Sequence, residues 1–251
     1  MRYSERCPTG IPGFDELING GFVRGRTILL KGACGTGKTI FGLQFLYNGI
    51  IKYNEPGVLL LLEQNVQHLR RDMLQFGWDL NEVESLGKLV IIDASLSKFN
   101  LTDINIPRPP HDRSFSLTSM EIIETREIVD ILVDTAKEIN AKRVVIDSLP
   151  ALDNLVKSKD NVRDILLNIN YRLQSAELTS IIIDDLLERR EKGVEEYVTD
   201  GVILLEYKTT GPEIGRYLTI EKMRGTPHSE SIHPIRLREG VGIEVLGVEE
   251  V

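Results

Sequence analysis

Five short runs along the chain are apolar almost throughout rather than at alternate positions: Thr27 to Leu30, Val58 to Leu62, Leu89 to Ile92, Val144 to Ile146 and Ser180 to Ile183. A strand reads this way when both of its faces are covered, as in a parallel sheet sandwiched between helices. Helical patterns fall between the runs, over Lys38 to Tyr53, Val66 to Phe76, Ser119 to Ile139 and Asn161 to Ala176. The third opens with Thr118 and Glu121 spaced for a capping box. Its apolar residues Ile122, Val129, Leu132, Ala136 and Ile139 recur at helical steps and share one face. Strands alternating with helices predict an α/β fold with right-handed crossovers and a mainly parallel central sheet flanked by helices.

After about residue 200 the rhythm changes. Val202 to Tyr207, Tyr217 to Lys222, Ile235 to Leu237 and Ile243 to Val245 follow one another without a helix, joined by turns such as Thr210-Gly211-Pro212. This predicts a C-terminal antiparallel extension of the same sheet, within one domain spanning 1–251. A long segment from Ala94 to about Leu117 carries Pro107, Pro109 and Pro110. It reads as a loop of a length that usually serves a function or moves.

Charge narrows the classes of partner. The chain of 251 residues carries 30 Lys+Arg against 38 Asp+Glu, a formal charge of -8. Nucleic-acid binding draws most of its affinity from phosphate neutralisation, so an acidic balance makes nucleic acid a disfavoured partner. The basic pairs Arg70-Arg71 and Arg189-Arg190 are flanked by acids and read as solvated surface. The longest aliphatic run, Val58 to Leu62, is far too short for a bilayer, and the first six residues lack the apolar stretch of a signal peptide. We therefore expect a cytoplasmic protein without a membrane partner. Cys7 and Cys34 make neither a metal spacing nor a disulfide framework.

The strongest chemical signal is Gly32-Ala33-Cys34-Gly35-Thr36-Gly37-Lys38-Thr39, which matches the phosphate-binding loop pattern at every fixed position, between a predicted strand and a predicted helix. Glycines let successive backbone N–H groups turn toward phosphates, and the following helix presents its positive end to the same charge. Gly35, Thr36, Gly37, Lys38, Thr39 and Ile40 are the candidate nucleotide contacts. Lys38 would reach the β- and γ-phosphates, and the Thr39 hydroxyl would ligate Mg²⁺. A second Mg²⁺-holding group is expected at the end of a neighbouring strand, where Val144-Val145-Ile146 runs into Asp147. Hydrolysis further needs a group to orient and deprotonate water, and Glu63, ending the Val58 to Leu62 run, is placed for it.

With these motifs in hand the chain resembles the KaiC-like ATPases of the RecA superfamily. The resemblance rests on Thr9 to Leu17, the phosphate loop with Gln44 to Ile51, Glu55 to Val58, Phe76 to Leu80, Val145 to Ser148, Val194 to Val198 and Lys222 to His228, in the family's order. It implies a RecA-like fold, ATP and Mg²⁺ as ligands, and a homo-hexameric ring with ATP bound between neighbouring subunits. It further implies that Lys222, Arg224 and His228 project from one subunit onto the ATP held by the next. Thr226 and Gln75 fall at positions that touch nucleotide in the family, although Gln75 differs in residue type. Residues two apart on a strand share a face, which suits Lys222 and Arg224 acting together.

The chain departs from the family pattern in three places. Glu63-Gln64 stands where two glutamates are common, so hydrolysis is expected to be slow. Ile183-Asp184-Asp185 places acids where KaiC, after which the family is named, carries a Thr-Thr-Glu run. That protein also has two such domains, so its phosphorylation chemistry is not transferred here. The leading expectation is a Mg²⁺-dependent ring ATPase whose nucleotide state governs assembly or partner binding. Two alternatives stand beside it. One is a DNA-associated motor or recombination accessory, using a loop over Leu186 to Glu196. The other is a nucleotide-gated scaffold with little turnover.

Overall fold

The structure is a computed structural model that describes residues 5–94, 115–116, 125–151, 162–185, 194–210 and 213–247. Its strands are β1 (Arg6–Cys7), β2 (Phe22–Val23), β3 (Thr27–Gly32), β4 (Gly57–Leu61), β5 (Leu89–Asp93), β6 (Phe115–Ser116), β7 (Arg143–Asp147), β8 (Thr179–Asp185), β9 (Gly201–Thr210), β10 (Glu213–Met223), β11 (Ile232–Arg238) and β12 (Gly242–Val245). Its helices are α1 (Lys38–Tyr53), α2 (Val66–Leu74), α3 (Leu80–Ser85), α4 (Thr125–Glu138), α5 (Val162–Ser175) and α6 (Val194–Val198). Among the described residues ten strands form one sheet in the order β12-β11-β10-β9-β3-β8-β7-β4-β5-β6, and β1 and β2 pair separately. The seven strands from β9 to β6 in that order run parallel. Strands β9 to β12 pair antiparallel, so the C-terminal strands extend the same sheet.

Alternation explains why the central strands are apolar at successive positions. Ile28, Leu30, Leu59, Leu61, Ile91, Val145, Ile181 and Ile183 join one core cluster with Phe41, Phe45 and Leu46 of α1. Their neighbours Leu29, Val58, Leu60, Val90, Ile92, Val144, Ile146 and Ile182 join a second, with Leu132 of α4 and Leu166 of α5. Two apolar layers on opposite faces leave no polar face for the strands to show to water.

Helix α1 is flanked by Gly37, with φ 108, at its start and by Asn54, in the left-handed conformation, at its end. Gln44, polar yet fully buried in this helix, donates to the Val241 and Ile243 carbonyls and accepts from the Ile243 N–H. These three bonds tie the end of the antiparallel extension to the helix behind the phosphate loop.

The predicted elements stand with shifted bounds, and some were not foreseen. Helix α2 stops at Leu74 rather than Phe76. The capping pair Thr118 and Glu121, and Ile122, lie outside the described residues, while Val129, Leu132 and Ala136 are buried as predicted. The prolines at 107, 109 and 110 also lie outside, but Phe115 and Ser116 pair in parallel with Ile92 and Asp93. Arg70 corrects the surface reading of the Arg70-Arg71 pair. Its side chain is only 9% exposed, and its guanidinium makes two bonds of 3.0 and 2.9 Å to Glu84. The reason is α3, which the pattern did not reveal and which supplies Glu84 against α2. Arg189 and Arg190 lie outside the described residues. The expected loop up to Glu196 gives way to helix α6 from residue 194.

Candidate functional site

The ends of β3, β4, β7 and β8 meet at one edge of the sheet. The register sets Leu61 beside Asp147 and Gly32 beside Asp185. From the end of β3 the chain turns through residues 32–37 into α1. A Cβ at Gly32 would stand 2.5 Å from the Leu205 carbonyl oxygen and 2.7 Å from the Thr36 hydroxyl, so only glycine lets the loop lie against β9. Gly37, with φ 108, occupies a conformation that a side chain disfavours, and it aims the start of α1 into the loop. Thr36 is buried, and its hydroxyl closes the turn by donating to the Ala33 carbonyl at 2.8 Å. Ile40 anchors the first turn of α1 against the core.

Four of the predicted residues, Lys38, Thr39, Asp147 and Glu63, sit together here. The Lys38 ammonium donates to the carbonyls of Gly32 at 2.8 Å and Ala33 at 2.9 Å, and lies 2.6 Å from Asp185. The Thr39 hydroxyl donates to Asp147 at 2.8 Å. Burial pushes the Asp147 carboxyl up to about 6; the Thr39 bond and Lys38 oppose this, and the charges of Glu63 and Asp185 add to it. Glu63 lies just past the end of β4, brought beside Asp147 by the bond from the Leu62 N–H to the Asp147 carbonyl. The Ser148 hydroxyl donates to its carboxylate at 2.6 Å, while the side chain stays open to solvent.

This donor set fits a divalent cation bound together with phosphates. Asp147 and the Thr39 hydroxyl are adjacent oxygens in a buried, acid-rich corner that a cation would neutralise. Among the described residues no group of three His, Cys, Asp or Glu side chains could hold a metal alone. Mg²⁺ commonly takes one or two protein oxygens and completes its shell with water and substrate phosphate.

Sequence reasoning flagged Asp185 only as a departure, yet it is the carboxylate on Lys38. It missed Ser148 as the holder of Glu63. It also missed Tyr207 of β9, whose hydroxyl donates to the Gly35 carbonyl at 2.6 Å, and Arg216 of β10, which stacks over that ring at 5.2 Å. A strand ending in two acids beside the loop was a usable signal for Asp185. The Tyr207 and Arg216 placements follow from sheet register and had none.

The remaining predicted residues lie elsewhere. Strand β9 runs parallel to β3, and β10 runs back against it, so Lys222 pairs with Val202, which pairs with Leu29. Arg224 bonds Asp200, and Asp200 bonds Thr27, through backbone N–H groups. Arg224 is thus level with the start of β3. At 3.3 Å per residue that is about 16 Å along the strand from Gly32, beyond the reach of its side chain to its own loop. Lys222 donates to the carbonyls of Glu196 and Thr199, and Arg224, about half exposed, donates to that of Tyr197. Burial and the neighbouring Arg224 lower the Lys222 pKa. Thr226 is buried and its hydroxyl accepts from Arg6 at 2.7 Å. His228 sets Nδ1 3.1 Å from the Ser229 carbonyl. Gln75 is exposed at the C-terminal cap of α2.

A phosphate loop ahead of α1, a strand-end aspartate bonded to its threonine and a parallel sheet extended by antiparallel strands define a RecA-like nucleotide-binding protein. Comparison with known proteins is specific. The family model described as "ATPase: KaiC" matches residues 7–250. The circadian clock oscillator protein KaiC of Thermosynechococcus vestitus is 33% identical over 250 residues, covering 97% of this chain and 45% of that protein. The chain therefore spans less than half the length of that relative. The UPF0273 protein PH0284 of Pyrococcus horikoshii is 35% identical over 240 residues, covering 94% of this chain and 92% of that protein. The crystal structure of the KaiC-like protein PH0186 from Pyrococcus horikoshii OT3 superposes with a TM-score of 0.80 at 35% identity, covering 97% and 100% of the two chains. The chain belongs to the KaiC ATPase family, and membership makes it an ATP-binding protein of an ATPase family. No helix among the described residues is long and apolar enough to cross a membrane.

Proposed function

We propose that this protein hydrolyses ATP with Mg²⁺ at sites shared between neighbouring copies in a homo-hexameric ring, its nucleotide state governing assembly or partner binding. In this reading the loop amides and Lys38 bind the phosphates, and Thr39 and Asp147 would hold the cation. When bound, Mg²⁺ neutralises charge on the β- and γ-oxygens. Glu63, held by Ser148, orients and deprotonates the attacking water. Lys222 and Arg224 of one copy meet the charge that develops on the phosphoryl group held by the next, with Thr226, His228 and Gln75 bordering the same nucleotide. An arginine supplied in this way can be worth about 10³–10⁵ in rate.

The observation that carries the reading is the separation of its two halves. The loop, Asp147 and Glu63 lie at one edge of the sheet, while Lys222 lies level with the middle of β3 and Arg224 with its start. Cations so placed act on ATP only in a second copy. The test is steady-state Mg-ATP turnover per subunit across a wide range of protein concentration. Turnover that rises steeply and then levels is the expected result. Turnover near background throughout, with ATP still bound, would leave a nucleotide-gated scaffold.

A further inference from the structure

Lys31 immediately precedes the phosphate loop and plays no part in it. It lies on the face of β3 that Leu29 shares, turned away from α1, and it is buried, only 8% exposed. A buried ammonium is costly unless carboxylates compensate it. Here two do: Glu196 of α6 at 2.5 Å and Glu221 of β10 at 3.3 Å. Glu221 lies on the strand that carries Lys222, and Glu196 on the helix whose carbonyls hold the cations. The Glu196 carbonyl accepts from Lys222 at 2.7 Å, and Glu221 adjoins Lys222 in the chain.

Glu221 reaches Lys31 because of an irregularity in β10. Ile220 pairs with Ile203 and Lys222 with Val202, so Glu221 is an extra residue with no partner opposite. In a regular strand Glu221 and Lys222 would point to opposite faces. The bulge turns both toward α6: Glu221 to Lys31, Lys222 to the helix carbonyls. Met223 then returns to the core, and Arg224 again faces α6 and Asp200. Bulges commonly re-aim side chains beside active sites in this way.

We propose that Lys31, through Glu196 and Glu221, is a positioning residue: it fixes α6 and the β10 bulge against the phosphate-loop strand and so sets where Lys222 and Arg224 are offered to a neighbouring copy. The inference rests on the shared-site reading above. It ties the cations a copy gives away to the strand that carries its own loop.

The test uses the full chain and mixed oligomers. Lys31→Met is expected to lower turnover by about ten- to hundredfold, the cost of misplacing a catalytic group by about 1 Å, with ATP affinity of the variant unchanged within about twofold. Two partners then locate the defect. Lys38→Ala lacks a working loop but offers intact cations; Arg224→Ala has the loop but lacks the arginine. Lys31→Met should regain turnover when mixed with Lys38→Ala and fail to regain it with Arg224→Ala. The reverse pattern, or wild-type turnover of Lys31→Met alone, would overturn the proposal, the former by placing Lys31's effect in its own loop. If Lys31→Met does not fold, Glu221→Gln, whose side chain is 31% exposed, takes its place in the same mixtures and must give the same pattern. A control mixture of Lys38→Ala with Arg224→Ala that stays inactive would sink the shared-site reading itself.

Discussion

Two regions of the central sheet are built from different materials. At the loop edge the ligand-facing groups are mainly backbone amides, shaped by Gly32 and Gly37 and backed by strand-end acids. Away from it stand long cationic side chains, Lys222 level with the middle of β3 and Arg224 with its start, held by carbonyls around α6. Backbone needs no rotamer ordering and aims at phosphate once the turn forms. Long side chains must be placed by their neighbours, and here those neighbours reach back through Lys31 to the loop strand. On the shared-site proposal the difference teaches that binding and turnover are separable. Binding then belongs to one edge of a single copy, whereas full turnover draws on two copies.

That contrast can be broken by substitution, most severely first. Arg224→Ala should lower turnover by about 10³-fold, the low end for a supplied arginine, while leaving ATP affinity nearly unchanged. Equal loss of affinity and turnover, seen by nucleotide titration beside steady-state assay, would place Arg224 in ground-state binding instead. Glu63→Gln should cost about 10²-fold in turnover, again without loss of affinity, as expected when a general base is removed. Should Glu63→Gln turn over at the wild-type rate, the assignment of Glu63 is wrong.

A milder probe acts on the loop edge alone. A cation needs Asp147 ionised, and burial raises its carboxyl to about 6. Protons therefore compete with Mg²⁺ as pH falls through about 6. Mg-ATP affinity should drop by about tenfold per unit below that point and stay level above it. Nucleotide titrations on either side, repeated with Asp147→Asn, check this: the substitution should flatten the profile. The smallest effect is expected from Tyr207→Phe. It removes one hydrogen bond to the Gly35 carbonyl, worth about 1 kcal/mol, or about fivefold in ATP affinity, with turnover at saturation preserved.

Much of the loop edge is legible in the sequence itself. A phosphate loop is local: eight consecutive residues specify the turn, the amides and the helix start, so Gly32 to Thr39 carry their chemistry in the chain itself. Asp147 and Glu63 were nearly as readable, because a buried aliphatic run followed by an acid marks where a strand leaves the core. The central strands were recognisable because two-sided burial removes polar positions, and α1 because its apolar pattern follows directly on the loop.

What the residues alone did not show are relations between distant segments. Arg70 read as surface because its partner, Glu84, sits on a helix too short to leave a periodic pattern. Asp185 became the partner of Lys38 only when β8 paired beside β3. The separation of Lys222 and Arg224 from their own loop is a matter of strand direction, set by β10 running back along β9. The bulge at Glu221 leaves no mark in composition, yet it decides which face Lys222 presents. Local turn chemistry and burial are written along the chain. Register, pairing and face are settled when non-neighbouring strands meet, because a shift of one residue sends a side chain to the other side of the sheet.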